Sequence, residues 1–403
     1  MSQSNNIKIT VLKDVELGTW QGMGGALTEA TAYNFAKLSP EKQRRFLDAY
    51  YSKDGLDYRW ARISIGSNDF CLKSYEYTKK ADLSDFSIEH DQKWLLPLLK
   101  RVLKRKRLKI VAAPWSPPKC LKWPPMQRHG GFLKPWRYGR YADYLCKWRD
   151  AYAAEGVKID YLSPQNEPRA AQIWESCRYS YRAQRKLART LSRLNIPLLL
   201  WDHNKRRLAK VADKLLPGTP AAGLCFHWYN GTHPDQMWQV RQKYPDKLLV
   251  SSEMCCGFSP YGPGWSRDAR LYLGELLNDI NCGTSAWIDW NMLLDYRGGP
   301  SYCRNYVKSP IILNETENDF ILTPIYHALK HFAKLCPAGS KIIRCDYDST
   351  SVAATARKIA KGYEVILANL TDEAQKITLQ LGEQEKTLTL SEGALKSMSL
   401  IDK

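Results

Sequence analysis

Between about residues 20 and 300 the chain alternates short apolar runs with amphipathic stretches, and this alternation limits the fold more than any other feature. The runs cover 22–27, 58–65, 108–113, 159–163, 196–201, 223–228, 247–252 and 285–290. Most are rich in Ile, Val, Leu and aromatic residues, the texture of parallel strands buried on both faces. The stretches 36–51, 91–105, 138–155, 179–194, 206–216, 234–244, 266–281 and 324–335 read as helices. In 138–155, for example, Tyr141, Tyr144, Leu145, Trp148 and Tyr152 lie near helical spacing. Strand and helix alternating eight times predict a (β/α)8 TIM barrel.

The texture changes near residue 340. The segments 342–347, 351–357, 363–370, 376–381, 386–390 and 396–401 alternate apolar and polar residues and are split by turns. They predict an antiparallel β-sandwich fused to the barrel. The strand at 7–12 is expected to join that sheet, and 336–340 makes a turn-rich boundary. The expected organisation is an N-terminal strand segment at 1–19, a barrel at 20–337 and a C-terminal β-sandwich domain at 338–403.

Composition narrows the function class. The formal charge is +19, from 60 Lys and Arg against 41 Asp and Glu. Recognised nucleic-acid signatures are absent, so no nucleic-acid partner is expected. The densest basic run is Lys100, Arg101, Lys104, Arg105, Lys106, Arg107 and Lys109. It ends a predicted helix, where cations suit the helix dipole. Weak contact between that face and an anionic surface is the other reading. The 11 Cys show neither disulfide-framework nor zinc spacing, and no metal or cofactor is expected. The polar N-terminus lacks a secretory apolar core, and no apolar run approaches a membrane span. A cytoplasmic location is expected.

Polar residues gather directly after the runs, where barrel active sites are built. Glu167 follows the fourth run and Glu253 the seventh. A Glu ending a buried strand costs desolvation and gains nothing for the core. Two carboxyls facing one cavity suit glycoside hydrolysis, one protonating the departing oxygen and the other attacking or stabilising the sugar cation. The alternative is a pair of strand-end carboxylates neutralised by Arg or Lys. Asn166 is suited to a sugar hydroxyl. Trp115, Trp174, Trp228 and Trp290 lie near strand ends, where an indole can stack on a pyranose or pack in the core. Tyr229 is placed to donate to Glu253, and His227 reads equally as a structural histidine or a proton carrier.

These residues belong to an ordered set of blocks. It includes Gly24-Gly25-Ala26-Leu27-Thr28-Glu29-Ala30, Ser67-Asn68-Asp69-Phe70, Pro114-Trp115-Ser116-Pro117-Pro118 and Gln165-Asn166-Glu167-Pro168. It continues with Trp174-Glu175-Ser176-Cys177, Trp201-Asp202-His203-Asn204-Lys205, His227-Trp228-Tyr229, Ser252-Glu253 and Asp289-Trp290-Asn291. The set resembles glycoside hydrolase family 30, the glucosylceramidase-like (β/α)8 hydrolases. The resemblance implies Glu167 as acid/base and Glu253 as the nucleophile of a retaining double displacement. It implies Asn166 at the 2-hydroxyl, Asp69, Trp115 and Trp290 on other sugar hydroxyls, Tyr229 orienting Glu253, and His227 nearby.

A small glycoside or oligosaccharide substrate is therefore expected, cleaved by a β-glucosidase or glucosylceramidase-like enzyme. β-Xylosidase, β-glucuronidase and β-1,6-glucanase activities are alternatives on the same scaffold. Outside enzymes, the alternative is a carbohydrate- or polyanion-binding barrel. Three positions depart from the family pattern: Met23, Cys71, and the Met254-Cys255-Cys256 that follows Glu253. The segments 128–136 and 258–265 are expected to shape the leaving-group side.

Overall fold

The computed structural model describes residues 6–258 and 264–402; part of the segment 258–265 thus lies outside the described residues. Eight parallel strands close into a barrel. In order they are Met23–Ala26, Trp60–Ile65, Lys109–Pro114, Tyr161–Leu162, Leu198–Asn204, Ala221–His227, Leu248–Glu253 and Ala286–Asp289, the last pairing back onto the first. Each coincides with one of the apolar runs. The runs are apolar on both faces because one face fills the barrel and the other meets the helices. Inside, Trp60, Val111, Leu199, Cys225, Val250 and Ile288 form one cluster around the ring. Gly24 answers a steric need, since a Cβ there would stand 2.3 Å from the Trp60 carbonyl oxygen.

The helices follow the amphipathic stretches, with two breaks. Helix Glu29–Lys37 precedes the one expected at 36–51, which begins only at Pro40. Ser39 caps that second helix, and Pro40 sits in its first turn, where a missing N–H removes no helix hydrogen bond. The stretch 91–105 is divided at Trp94 into Glu89–Lys93 and Leu95–Arg105. The basic run that ends it is largely partnered. Lys100 pairs with Glu155, Arg105 with Asp48 and Lys106 with Asp57, while Arg101 and Lys109 donate to Gln43 and Gln21.

The side domain is one continuous seven-stranded sheet, antiparallel except at one pair. Strand Ile7–Thr19 lies inside it, antiparallel to Lys341–Asp346 and parallel to Gln375–Leu381. This strand ties the two chain ends together. One face encloses its own core of Ile9, Val11, Ile343, Val365 and Leu379. The other contributes Ile342, Ala353, Ile366 and Ala368 to the core shared with the barrel helices. No helix among the described residues is long and apolar enough to cross a membrane.

Candidate active site

Arg62 organises the C-terminal mouth of the barrel. It lies in the middle of strand Trp60–Ile65 and is fully buried. One guanidinium nitrogen donates to Glu253 Oε2 and to the Ser252 carbonyl. The other donates to Asn166 Oδ1 at 2.8 Å and Asp202 Oδ2 at 2.9 Å. Its flat face lies 4.9 Å from the Trp115 ring centre and 5.5 Å from that of Trp290. Strands two, five and seven, with the turns after strands three, four and eight, thus meet at one cation. Burial opposes its charge, but Asp202 and Glu253 outweigh that and hold the guanidinium firmly protonated.

The two carboxylates expected to cooperate are brought together. Glu253 ends the seventh strand; its second oxygen accepts from the Tyr229 hydroxyl at 2.9 Å. Glu167 follows the fourth strand with φ of 45°, a strained left-handed position. Its amide donates to the Asp202 carbonyl at 2.8 Å, and Gln172 donates to its Oε2 at 3.3 Å. His227 Nδ1 sits 3.5 Å from Glu167 Oε1 and 3.8 Å from Glu253 Oε1. The opposite ring nitrogen contacts Asp202 at 3.1 Å.

Asp202 reaches these partners through a bulge. Trp201 and Asp202 both have positive φ, and the register against the sixth strand slips between Trp201 and His203. A bulge re-aims neighbouring side chains. Here Asp202 meets Arg62, His227 and the Ser252 hydroxyl. His203, next in sequence, has its Nδ1 3.3 Å from Glu167 Oε1. Burial pushes the Glu167 carboxyl up, but the two imidazoles outweigh it and hold it well below the usual carboxylate range. For His227, burial opposes the charge, and Glu253, Asp202 and Glu167 overcome it to raise the imidazole to about 9.

An aromatic and polar wall borders the carboxylates. Trp115 stacks on Trp290 with ring centres 5.3 Å apart, and Phe70 meets Trp290 edge-on. Asp69 accepts from Asn305 at 2.8 Å. Burial, followed by the nearby Glu253 charge, raises its carboxyl to about 8. Trp174 packs against this cluster. Trp228 turns the other way: its indole N–H donates to the Cys255 carbonyl, and its ring packs on Tyr272 in the core.

Stability should therefore depend on pH in a definite direction. A histidine raised from 6.5 to about 9 stabilises the fold fully below about pH 6.5, and this contribution is lost as pH rises through 9. Asp69, raised from 3.8 to about 8, costs stability increasingly over that interval as the unfolded chain ionises first. Both terms lower the melting temperature between about pH 6.5 and 8, and the histidine term continues to about 9. Asp69→Asn should flatten the decline. Calorimetry at closely spaced pH values measures this, and identical slopes for the two proteins would contradict it.

The sequence reading missed Arg62, Asp202, His203 and Gln172 as members of this cluster. Arg62 had a readable signal, since an arginine inside a run as apolar as Trp-Ala-Arg-Ile-Ser-Ile requires a buried acidic partner. Lys205, beside them in sequence, is architectural and clamps Glu275 and Asp279 at 2.7 and 2.5 Å. Arg62→Met should destabilise the fold by about 3–5 kcal/mol, because it leaves buried Asp202 and Glu253 sharing the single positive charge of His227. For a chain of this length that lowers the melting temperature by about 4–6 °C. Adding Asp202→Asn should restore part of the loss, and a full additive loss in the double variant would refute the coupling.

Comparison with known proteins agrees with this architecture. The family model described as the glycosyl hydrolase family 30 TIM-barrel domain matches residues 20–336. The lysosomal acid glucosylceramidase of Mus musculus is 29% identical over 397 residues, covering 89% of this chain and 76% of that protein. Among solved structures, SrfJ from Salmonella typhimurium superimposes with a TM-score of 0.91 at 26% identity, covering 100% of this chain and 94% of that one. An endo-β1,6-glucanase gives a TM-score of 0.84 at 26% identity, covering 97% and 93%. The chain belongs to glycoside hydrolase family 30 and is a glycoside hydrolase.

Proposed function

We propose that this chain is a retaining β-glycosidase of β-glucosidase or glucosylceramidase type, with Glu253 as nucleophile and Glu167 as acid/base. The observation that carries the reading is His227 Nδ1 in contact with both carboxylates, at 3.5 and 3.8 Å. Two oxygens so placed lie no farther apart than the sum of those contacts, about 7 Å, so both carboxyls face one cavity. Double displacement needs ~5–5.5 Å, and inversion needs ~6.5–9.5 Å to admit a water.

In the first step Glu253 attacks the anomeric carbon, and the leaving oxygen takes, through Glu167, the proton that rests on the adjoining His227 imidazole in the free site. In the second, Glu167 takes a proton from water, which displaces Glu253 and releases the sugar. Arg62 and Tyr229 fix one Glu253 oxygen each, so the carboxylate is oriented before substrate arrives. Asn166, pinned by Arg62, is assigned to the 2-hydroxyl. Asp69, Trp115 and Trp290 line the sugar subsite, and His227 holds positive charge between the carboxylates.

A β-1,6-glucanase is the second reading, favoured by the likeness to the endo-β1,6-glucanase. The unpaired state of all eleven cysteines supports a reducing, cytoplasmic setting. A panel of 4-nitrophenyl β-glycosides (glucoside, xyloside, galactoside, fucoside and glucuronide), glucosylceramide and a β-1,6-glucan distinguishes the substrates. Proton NMR of the first-formed anomer tests the mechanism. Initial release of the α-anomer from a β-glycoside would overturn it.

A further inference from the structure

We propose that the barrel flank beginning at the mouth is a docking surface for an anionic lipid bilayer. A hairpin of Lys122–Trp123 and Phe132–Leu133 follows the third barrel strand. Trp123 is 58% exposed and Trp136, just beyond the hairpin, 74%; Met126 and Phe132 are exposed with them. The loop 170–178 is bonded to this hairpin, His129 N donating to the Gln172 carbonyl at 2.7 Å and Arg178 N to that of Gly131 at 2.8 Å. It adds exposed Ile173 to the same apolar rim.

The surrounding charge is predominantly positive, with Asp213 the acidic residue lining the adjoining groove. The sequence carries no Asp or Glu from residue 92 through 142. From Arg169 to Lys214 every exposed charged residue is Lys or Arg except Asp213, which Lys243 bridges. Helix Tyr181–Leu191 lines a groove of about 850 Å³ with Arg182, Arg185, Lys186 and Arg189. The facing wall includes Pro135 and Tyr138, the residues on either side of Trp136 and Arg137. Arg185, Lys186 and Arg189 donate to carbonyl oxygens of Lys214, Pro135 and Gly218, contacts that leave their charge uncompensated. This helix face therefore carries positive charge with few acidic partners, whereas Lys100, Arg105 and Lys106 of the run 100–109 are each paired with a carboxylate.

The mixture selects the partner. A polysaccharide platform needs flat rings and hydroxyl acceptors, but Met126 and Ile173 supply neither and the exposed rim lacks carboxylates. A single-stranded nucleic acid would use the cations and stack bases on the tryptophans, but would leave Met126 and Ile173 in water. Exposed tryptophans flanked by Lys and Arg match the boundary between acyl chains and anionic headgroups. Docking in this way sets the mouth beside the lipid surface, because the buried Lys122 ammonium ties the hairpin to Ser116, next to Trp115.

Co-sedimentation of the full chain with vesicles tests this without any turnover, so its outcome is separate from that of the proposed reaction. The expected result is binding to phosphatidylcholine vesicles containing phosphatidylserine, weakened by salt, and none to phosphatidylcholine alone. The triple variant Arg182→Glu, Lys186→Glu, Arg189→Glu should reduce partitioning by at least about a hundredfold. Trp123→Ala with Trp136→Ala should weaken vesicle binding while leaving heparin binding unchanged. An unaltered melting temperature verifies that both variants are folded, and unaltered hydrolysis of a soluble aryl glycoside verifies it again for the charge variant. Equal binding to neutral vesicles, full retention by the triple variant, or vesicle binding indifferent to the tryptophans would each overturn the proposal. So would capture of a neutral β-glucan through those tryptophans with no vesicle binding.

Discussion

Glu253→Gln should remove hydrolysis of aryl β-glycosides by at least about four orders of magnitude in kcat. The amide is nearly isosteric and can still accept from Tyr229, so the loss reports chemistry more than folding. What disappears is the anionic oxygen that would bond to the anomeric carbon. Arg62 then faces an uncharged partner, so the melting temperature should shift, and calorimetry separates this effect from the kinetic one. Substrate affinity should persist, because Asp69, Trp115, Asn166 and Trp290 are untouched. Retention of even a tenth of the wild-type kcat would remove Glu253 from the nucleophile's role.

The sequence made the barrel legible because its strands are buried on both faces and its helices on one, a contrast that periodicity records directly. It was equally clear that polarity collects after the strands. The Arg62 hub was hidden for a physical reason. A residue inside a strand is read as wall, whereas this side chain is long enough to climb the barrel interior and reach Asn166, Asp202 and Glu253 from below. Asp202 and His203 were visible as polar residues after the fifth run, yet their different targets depend on a bulge with two positive-φ residues. Neither Trp201 nor Asp202 is a glycine, so nothing in the local composition announces that backbone. Trp228 shows the converse limit: its position after the sixth strand matched the mouth, but the side chain enters the core.

Basic runs carry the same lesson. The density of Lys and Arg at 100–109 drew attention, although Asp48, Asp57 and Glu155, brought in from other helices and loops, neutralise much of it. The charge on helix Tyr181–Leu191 is less conspicuous along the chain because it is spaced by turns. Tertiary structure brings almost no acid to it. Charge density along a sequence therefore reports folding partners as much as it reports a surface field.

Glu167→Ala should separate the two half-reactions. With 4-nitrophenolate as leaving group, protonation of the departing oxygen is barely needed, so glycosylation of Glu253 should slow little. Deglycosylation needs a base to activate water and should slow by about 10²–10⁴-fold. The glycosyl-enzyme then accumulates and gives a burst of nitrophenolate followed by a slow steady state. Azide, already an anion, needs no base and should restore the steady-state rate while yielding the β-glycosyl azide. Alkyl glycosides, whose leaving groups require the acid, should lose activity in the first step and gain nothing from azide. The environment of Glu167 adds a second signature. Its charge helps hold His227 near 9, so removing the carboxylate should lower the imidazole's titration, observable by NMR of the ring. A variant with the same loss on aryl and alkyl substrates, no burst and no azide product would assign the proton to another group, and His203, 3.3 Å from the same oxygen, would be the next to test.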